Sequence, residues 1–161
     1  MRTDASSDRI GSAAPARALA ARLQPGRPQP ALTAEIAACA CGEAVRAGLF
    51  LRNGDWERAH RTAQALDDAL GAHWHAVVHR HEPDPDNSRY WLRRVGRSPI
   101  YPRLAEAARA AGQSDQAAPG GRWDPDRFAR CFADARHDAW TRPLDALEQE
   151  ALLEHCLALE D

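Results

Sequence analysis

Residues 33–70 read TAEIAACACGEAVRAGLFLRNGDWERAHRTAQALDDAL, and their periodicity decides the fold class. Ile36, Ala40, Ala44, Ala47 and Leu51 recur at three- and four-residue steps, the stripe of an amphipathic helix. Thr33 is a candidate N-cap with Glu35 in the first turn. Asn53-Gly54 is a stop signal. Asp55 then caps a second helix, in which Trp56, Ala59, Ala63, Leu66 and Leu70 continue the apolar pattern. The two form an αα-hairpin in the tetratricopeptide style. No second copy follows at a period of about 34 residues, so a repeat array is excluded.

The same signals recur downstream. Gly71 is expected to break the second helix, and a third, short helix is expected from about Ala72 to His81. Pro83, Asp84, Pro85, Asp86 and Asn87 read as a loop, since each proline lacks a donor and restricts the residue before it. Asp86 or Asn87 then caps a helix through Ser88–Val95, ended by Gly96. Tyr101–Ala111 is a further helix, closed by Gly112. Residues 112–122 read as a flexible loop. Asp124 caps a helix with Pro125 at its first position, a favoured arrangement. Thr141 is expected to cap the last helix, where Leu144, Leu147, Leu152 and Leu157 are apolar. No strand signal is present. The expectation is an all-α single domain of five to seven helices over 31–161. Residues 1–30, rich in Ser, Pro, Gly and charge, are expected to be a disordered tail, with a short helix possible at PARALAARLQ.

Composition agrees. Of 161 residues 34 are alanine, against four valines and three isoleucines, which favours helix over sheet. Every one of the 21 basic residues is arginine, a coding style of GC-rich bacterial genomes. Lysine Schiff-base chemistry and the P-loop are thereby excluded. The net charge of −2 gives no global drive toward nucleic acid. Neither a signal-peptide core nor a membrane-length apolar run occurs, so the expected setting is cytoplasmic, with no membrane partner. Cys39, Cys41, Cys131 and Cys156 lack zinc-ribbon or thioredoxin spacing and read as free thiols facing the interior.

Charge is unevenly placed. Residues 73–103 hold six Arg and four His against three acids; residues 132–161 hold two Arg against eight acids. This implies either self-complementarity or a basic site for an anion. The acidic last helix reads as a solvated face or a partner contact.

One segment is chemically unlike the rest: HWHAVVHRHEPDPDNSRYWLRRVG, residues 73–96. In a helix, His75 and His79 stand at i and i+4 on one face, and Glu82 extends that face by a turn. The string W-H-A-x-x-H-R-x-E-P-D-x-x-N-x-x-Y-W-x-R-R-x-G, Trp74–Gly96, resembles a family of small bacterial and fungal proteins, over about Gly71 to Leu104. It marks a family and brings no assigned chemistry. The family pattern ends G-x-H-P, where this chain has Ser98 in place of His, and His81 replaces the usual basic residue before Glu82.

Three readings of the segment stand side by side. In the first it is an enzyme site for a small anionic substrate. Arg80, Arg93 and Arg94 supply forked donors, with Asn87 as a further contact. Glu82, Asp84 or Asp86 acts as base and His75 or His79 as acid, and Trp74, Tyr90 and Trp91 wall the pocket. That chemistry suits displacement or elimination of a sulfate- or phosphate-type leaving group, as in aziridine-type ring formation in bacterial specialised metabolism, without a cofactor. In the second, His75, His79 and Glu82 bind a divalent metal such as zinc, with His60, His137 and His155 as candidates for a further ligand. In the third, Arg80, Glu82, Asp86 and Arg94 form an ion-pair network that fixes the Pro-rich loop. A non-catalytic helical adaptor with a homo-oligomeric or heteromeric partner is the alternative class.

Overall fold

The computed structural model describes residues 13–24 and 28–161, and among these every regular element is helical. Ten α-helices follow in order: α1 Ala14–Arg22, α2 Pro30–Ala38, α3 Glu43–Arg52, α4 Trp56–Gln64, α5 Ala69–His81, α6 Pro85–Val95, α7 Tyr101–Ala110, α8 Ser114–Ala117, α9 Pro125–Phe132 and α10 Asp138–Ala158. The all-α expectation holds, with more helices than the five to seven expected. The tail expected over 1–30 lies partly outside the described residues. Where it is described, α1 packs down through Ala16 and Leu19, with Leu23 buried beyond its end.

The first helix of the expected hairpin is two helices. Thr33 lies inside α2 rather than capping it, and the chain opens between Cys39 and Gly42 before α3 begins. Arg46 explains the break. Its Nη1 donates to the carbonyls of Ile36 and Ala37 at 3.2 and 2.8 Å, and its Nη2 to that of Cys41 at 3.0 Å. Two of the acceptors released at the end of α2 are thereby satisfied, and one in the opening beyond it. Cys39 and Cys41 lie in this opening, both half-buried free thiols.

Asp55 caps α4 as expected, its side chain accepting from the backbone N–H of Arg58. The next boundary falls earlier than expected. α4 ends at Gln64, Asp68 caps α5 by accepting from the Gly71 N–H, and Gly71 lies in the first turn of α5. Gly71 is there for space. A Cβ on it would sit 2.3 Å from Leu66 Cβ and 2.7 Å from the Leu66 carbonyl oxygen. Gly48 does the same for α3, where a Cβ would fall 2.6 Å from the Trp74 ring.

α6 starts earlier than expected because Asp84, not Asp86 or Asn87, is the cap: it accepts from the Asn87 N–H, with Pro85 in the first turn. Asp124 caps α9 as expected. The stretch 112–122 is not a plain loop; it holds α8 and a 3-10 turn at Pro119–Gly121, with Ala117 and Ala118 buried. α10 begins at Asp138, and the Thr141 hydroxyl donates back to the His137 carbonyl at 3.0 Å rather than capping the helix. No described helix is long and apolar enough to cross a membrane.

α5 is the centre of the fold. It packs against α3, α4 and α6, and every residue from Gly71 to Arg80 is buried. A helix covered all round is usually apolar. This one carries His73, His75, His79 and Arg80 into the interior, and each buried polar group requires a partner.

Candidate functional site

Two of the polar groups on α5 are matched by carboxylates of α10. His73 Nε2 lies 2.9 Å from Glu148 Oε1, and Arg80 Nη2 donates to Asp145 and Glu148 at 2.6 Å each. At the end of α5, His81 Nε2 stands 2.8 Å from Asp145 Oδ2, which also accepts from Gln149 at 2.8 Å. Arg80 lies 5.0 and 5.3 Å from the ring centres of Phe128 and Phe132. Burial opposes ionisation of Asp145, but Arg80 and then His81 outweigh it and hold the carboxyl near 2. Glu148 is depressed in the same way, by Arg80 and His73 against burial.

The acidic last helix is therefore not wholly a solvated face, because Asp145 and Glu148 turn inward. Nor is the ion-pair network the one expected. Arg80 binds α10 instead of the nearby Glu82 and Asp86: its Nε and Nη2 donate there, and its Nη1 has no partner among the described residues.

The opposite side of α5 faces α4 and α6, and there the histidines gather. His75 and His79, one turn apart, meet His60 of α4 with ring centres 4.6, 4.8 and 4.8 Å apart pairwise. One nitrogen from each ring lies within 4.8 Å of the others. Trp91 of α6 stacks on His75 at 4.1 Å. His75 is 2% exposed, and neither of its ring nitrogens has a hydrogen-bond partner among the described residues. Burial, with the neighbouring imidazoles of His60 and His79, lowers His75 to about 4, so it is neutral near pH 7. Burial also lowers His79, against the pull of Glu82.

Glu82 stands at the open edge of the cluster. Its Oε2 is 3.1 Å from His79 Nδ1 and its Oε1 is 3.5 Å from His60 Nδ1. A carboxylate accepting at Nδ1 leaves the Nε2 lone pair free, the arrangement that metal-binding histidines adopt. The Asn87 Nδ2 lies 3.4 and 3.2 Å from the two ring nitrogens of His79. A donor so nearly equidistant from both sits off the ring plane and blocks neither lone pair.

The expected site residues thus separate. His75, His79, Glu82, Asn87 and Trp91 come together, joined by His60. Trp74 belongs to the core against Gly48, 1% exposed, and walls no pocket. Arg80 is held by α10. Arg93 and Arg94 are exposed, the latter 5.2 Å from the Trp91 ring centre, and Tyr90 is 46% exposed. Asp84 is spent on capping, and Asp86 pairs with Arg89 at 3.2 Å on the surface. His137 and His155 lie outside the cluster. No family model matches the chain, and no curated protein or solved structure matches it either.

Proposed function

We propose that the chain is a small metal-dependent enzyme in which His60, His75 and His79 hold one zinc-class divalent ion. The observation that carries this reading is His75: a buried imidazole, neutral near pH 7, facing two others, with both nitrogens unpartnered. An unsatisfied buried polar group is costly, and a metal ion supplies the missing partner. Three imidazoles are a ligand set for zinc and its neighbours, and leave a fourth position for water or substrate. At Zn–N distances near 2.0–2.1 Å the three nitrogens would stand roughly 3.4 Å apart, so binding draws the rings inward by about 1.5 Å at most.

Such an ion keeps its full charge, because no ligand neutralises it. It would therefore stabilise an oxyanion, such as a departing sulfate- or phosphate-type group or a bound hydroxide. That is the role sequence reading gives to Arg80, Arg93 and Arg94. Glu82, 39% exposed at the edge of the cluster, is placed to take a proton from a nucleophile entering there. A metal-free reading rests on the same contact: His79 and Glu82, 3.1 Å apart, as an acid–base pair acting on a small anionic substrate.

Titration of metal-stripped protein with Zn²⁺ and Co²⁺ separates the two. The expected result is one ion per chain, with binding lost in His60→Ala, His75→Ala and His79→Ala and kept in His137→Ala and His155→Ala. Absence of binding, or binding indifferent to the first three substitutions, overturns the metal reading.

A further inference from the structure

A cavity of about 360 Å³ lies where the chain leaves α6 and passes the loop before α9. None of the histidine cluster lines it. Its polar side chains are Arg97, Ser98, Tyr101, Arg122 and Trp123, and every one of them can donate a hydrogen bond. No acidic side chain lines it.

The donors are also unspent. Arginines elsewhere in the fold are mostly ion-paired, as in Arg103–Glu154 and Arg89–Asp126. Arg97 and Arg122 have no ion pair among the described residues, and both are exposed at the cavity. Trp123 is 7% exposed, yet its indole Nε1 has no hydrogen-bond partner among the described residues. Two guanidinium groups and an orphaned buried donor around one cavity suit an acceptor-rich anion. The remaining lining, Pro102, Ala105 and Pro125 beside the Trp123 ring, is apolar and offers a flat body a surface to lie on.

We propose that this cavity binds a small molecule that joins a tetrahedral oxyanion, phosphate or sulfate, to a flat apolar group. Arg97 and Arg122 grip the oxyanion, Ser98 and the Trp123 N–H fix its orientation, and the apolar wall takes the ring. The proposal is independent of the metal centre.

Phenyl phosphate and phenyl sulfate serve as probes, titrated calorimetrically in the presence of a chelator so that no metal takes part. Saturable binding of one molecule per chain is expected. Arg97→Gln and Arg122→Gln should each weaken it at least tenfold, and the double variant should abolish it. Trp123→Phe, which keeps an aromatic face and removes the N–H, should weaken it several-fold. Arg103→Gln, which removes an exposed arginine outside the cavity lining, should leave it unchanged, as should His75→Leu. The proposal is overturned if neither probe binds saturably, or if binding survives the double variant. Loss of affinity in Arg103→Gln equal to that in Arg97→Gln would likewise overturn it, since it would reduce the binding to general surface charge. Both arginines are exposed, so their substitution leaves the fold intact, which melting curves verify.

Discussion

His73 and Glu148 are separated by 75 positions in the chain and meet at 2.9 Å, with neither side chain reachable by water. Beside them Arg80 is held by Glu148 and Asp145. Removing a single partner from such a buried group strands a charge, at a cost of about 3–5 kcal/mol. Arg80→Met should lose that much in urea unfolding. Arg94→Gln, an exposed residue beside Trp91, should lose within about 1 kcal/mol. Equal losses would mean that the α5–α10 network does not hold the fold.

Acid should act through the same carboxylates. Asp145 is depressed to about 2 from an ordinary 3.8, and Glu148 is depressed too. In the pH range between the two values the unfolded chain binds protons that the folded chain refuses. The Asp145 contribution is complete above about pH 4 and is lost as pH falls through about 2, on the order of 2 kcal/mol. Denaturation followed from pH 5 to pH 2 should show stability falling across that window, and Asp145→Asn should flatten the slope. An unchanged slope in that variant would remove the assignment.

His75 should trade stability against binding. In the metal-free protein it is a buried imidazole without partners, so His75→Leu should leave stability unchanged or raise it by about 1 kcal/mol. The wild-type protein should melt higher with excess Zn²⁺, since a ligand bound only by the folded state stabilises it, and His75→Leu should show no such rise. A variant destabilised without metal would indicate that the imidazole serves packing alone.

Much of this architecture is legible locally and some of it is not. Asp55 and Asp124 are found from sequence because a cap acts on the N–H groups just after it. Asp84 is missed for Asp86 or Asn87, although Pro85 one position later is the sign of a first turn. The break between α2 and α3 is invisible to periodicity, because the alanine stripe runs straight through it and the residue that satisfies the freed carbonyls is Arg46, a turn inside the next helix. His75 and His79 are legible from their i, i+4 spacing. His60 becomes their neighbour only through the crossing of α4 and α5, so sequence reading holds it no nearer than His137 or His155. Asp145 and Glu148 are hidden by company, since an acid-rich helix resembles a solvated face.

Gly71 offers a test of how that crossing is set. Gly71→Ala forces a Cβ against the Leu66 backbone, where little can yield. Overpacking of this kind costs about 1–3 kcal/mol. Because Gly71 sits at the corner between α4 and α5, the variant should also weaken Zn²⁺ binding by shifting His60 relative to His75 and His79. Thermal melting and zinc titration read the two effects separately, and a loss of stability with unchanged zinc affinity would show that the corner does not set the cluster.

The burial of α5 has a consequence for the order in which the molecule is made. A nascent chain that has emerged as far as residue 120 contains all of α5 but neither carboxylate that holds Arg80. Until α10 has been synthesised the helix cannot enter the interior without a stranded cation, so it must wait, partly uncovered, at the surface of an unfinished core. Contacts this distant in sequence are also slow to form. Completion of this fold is thus gated by α10, and a chain stalled before residue 145 should present its histidines and tryptophans to whatever chaperone or protease it meets first.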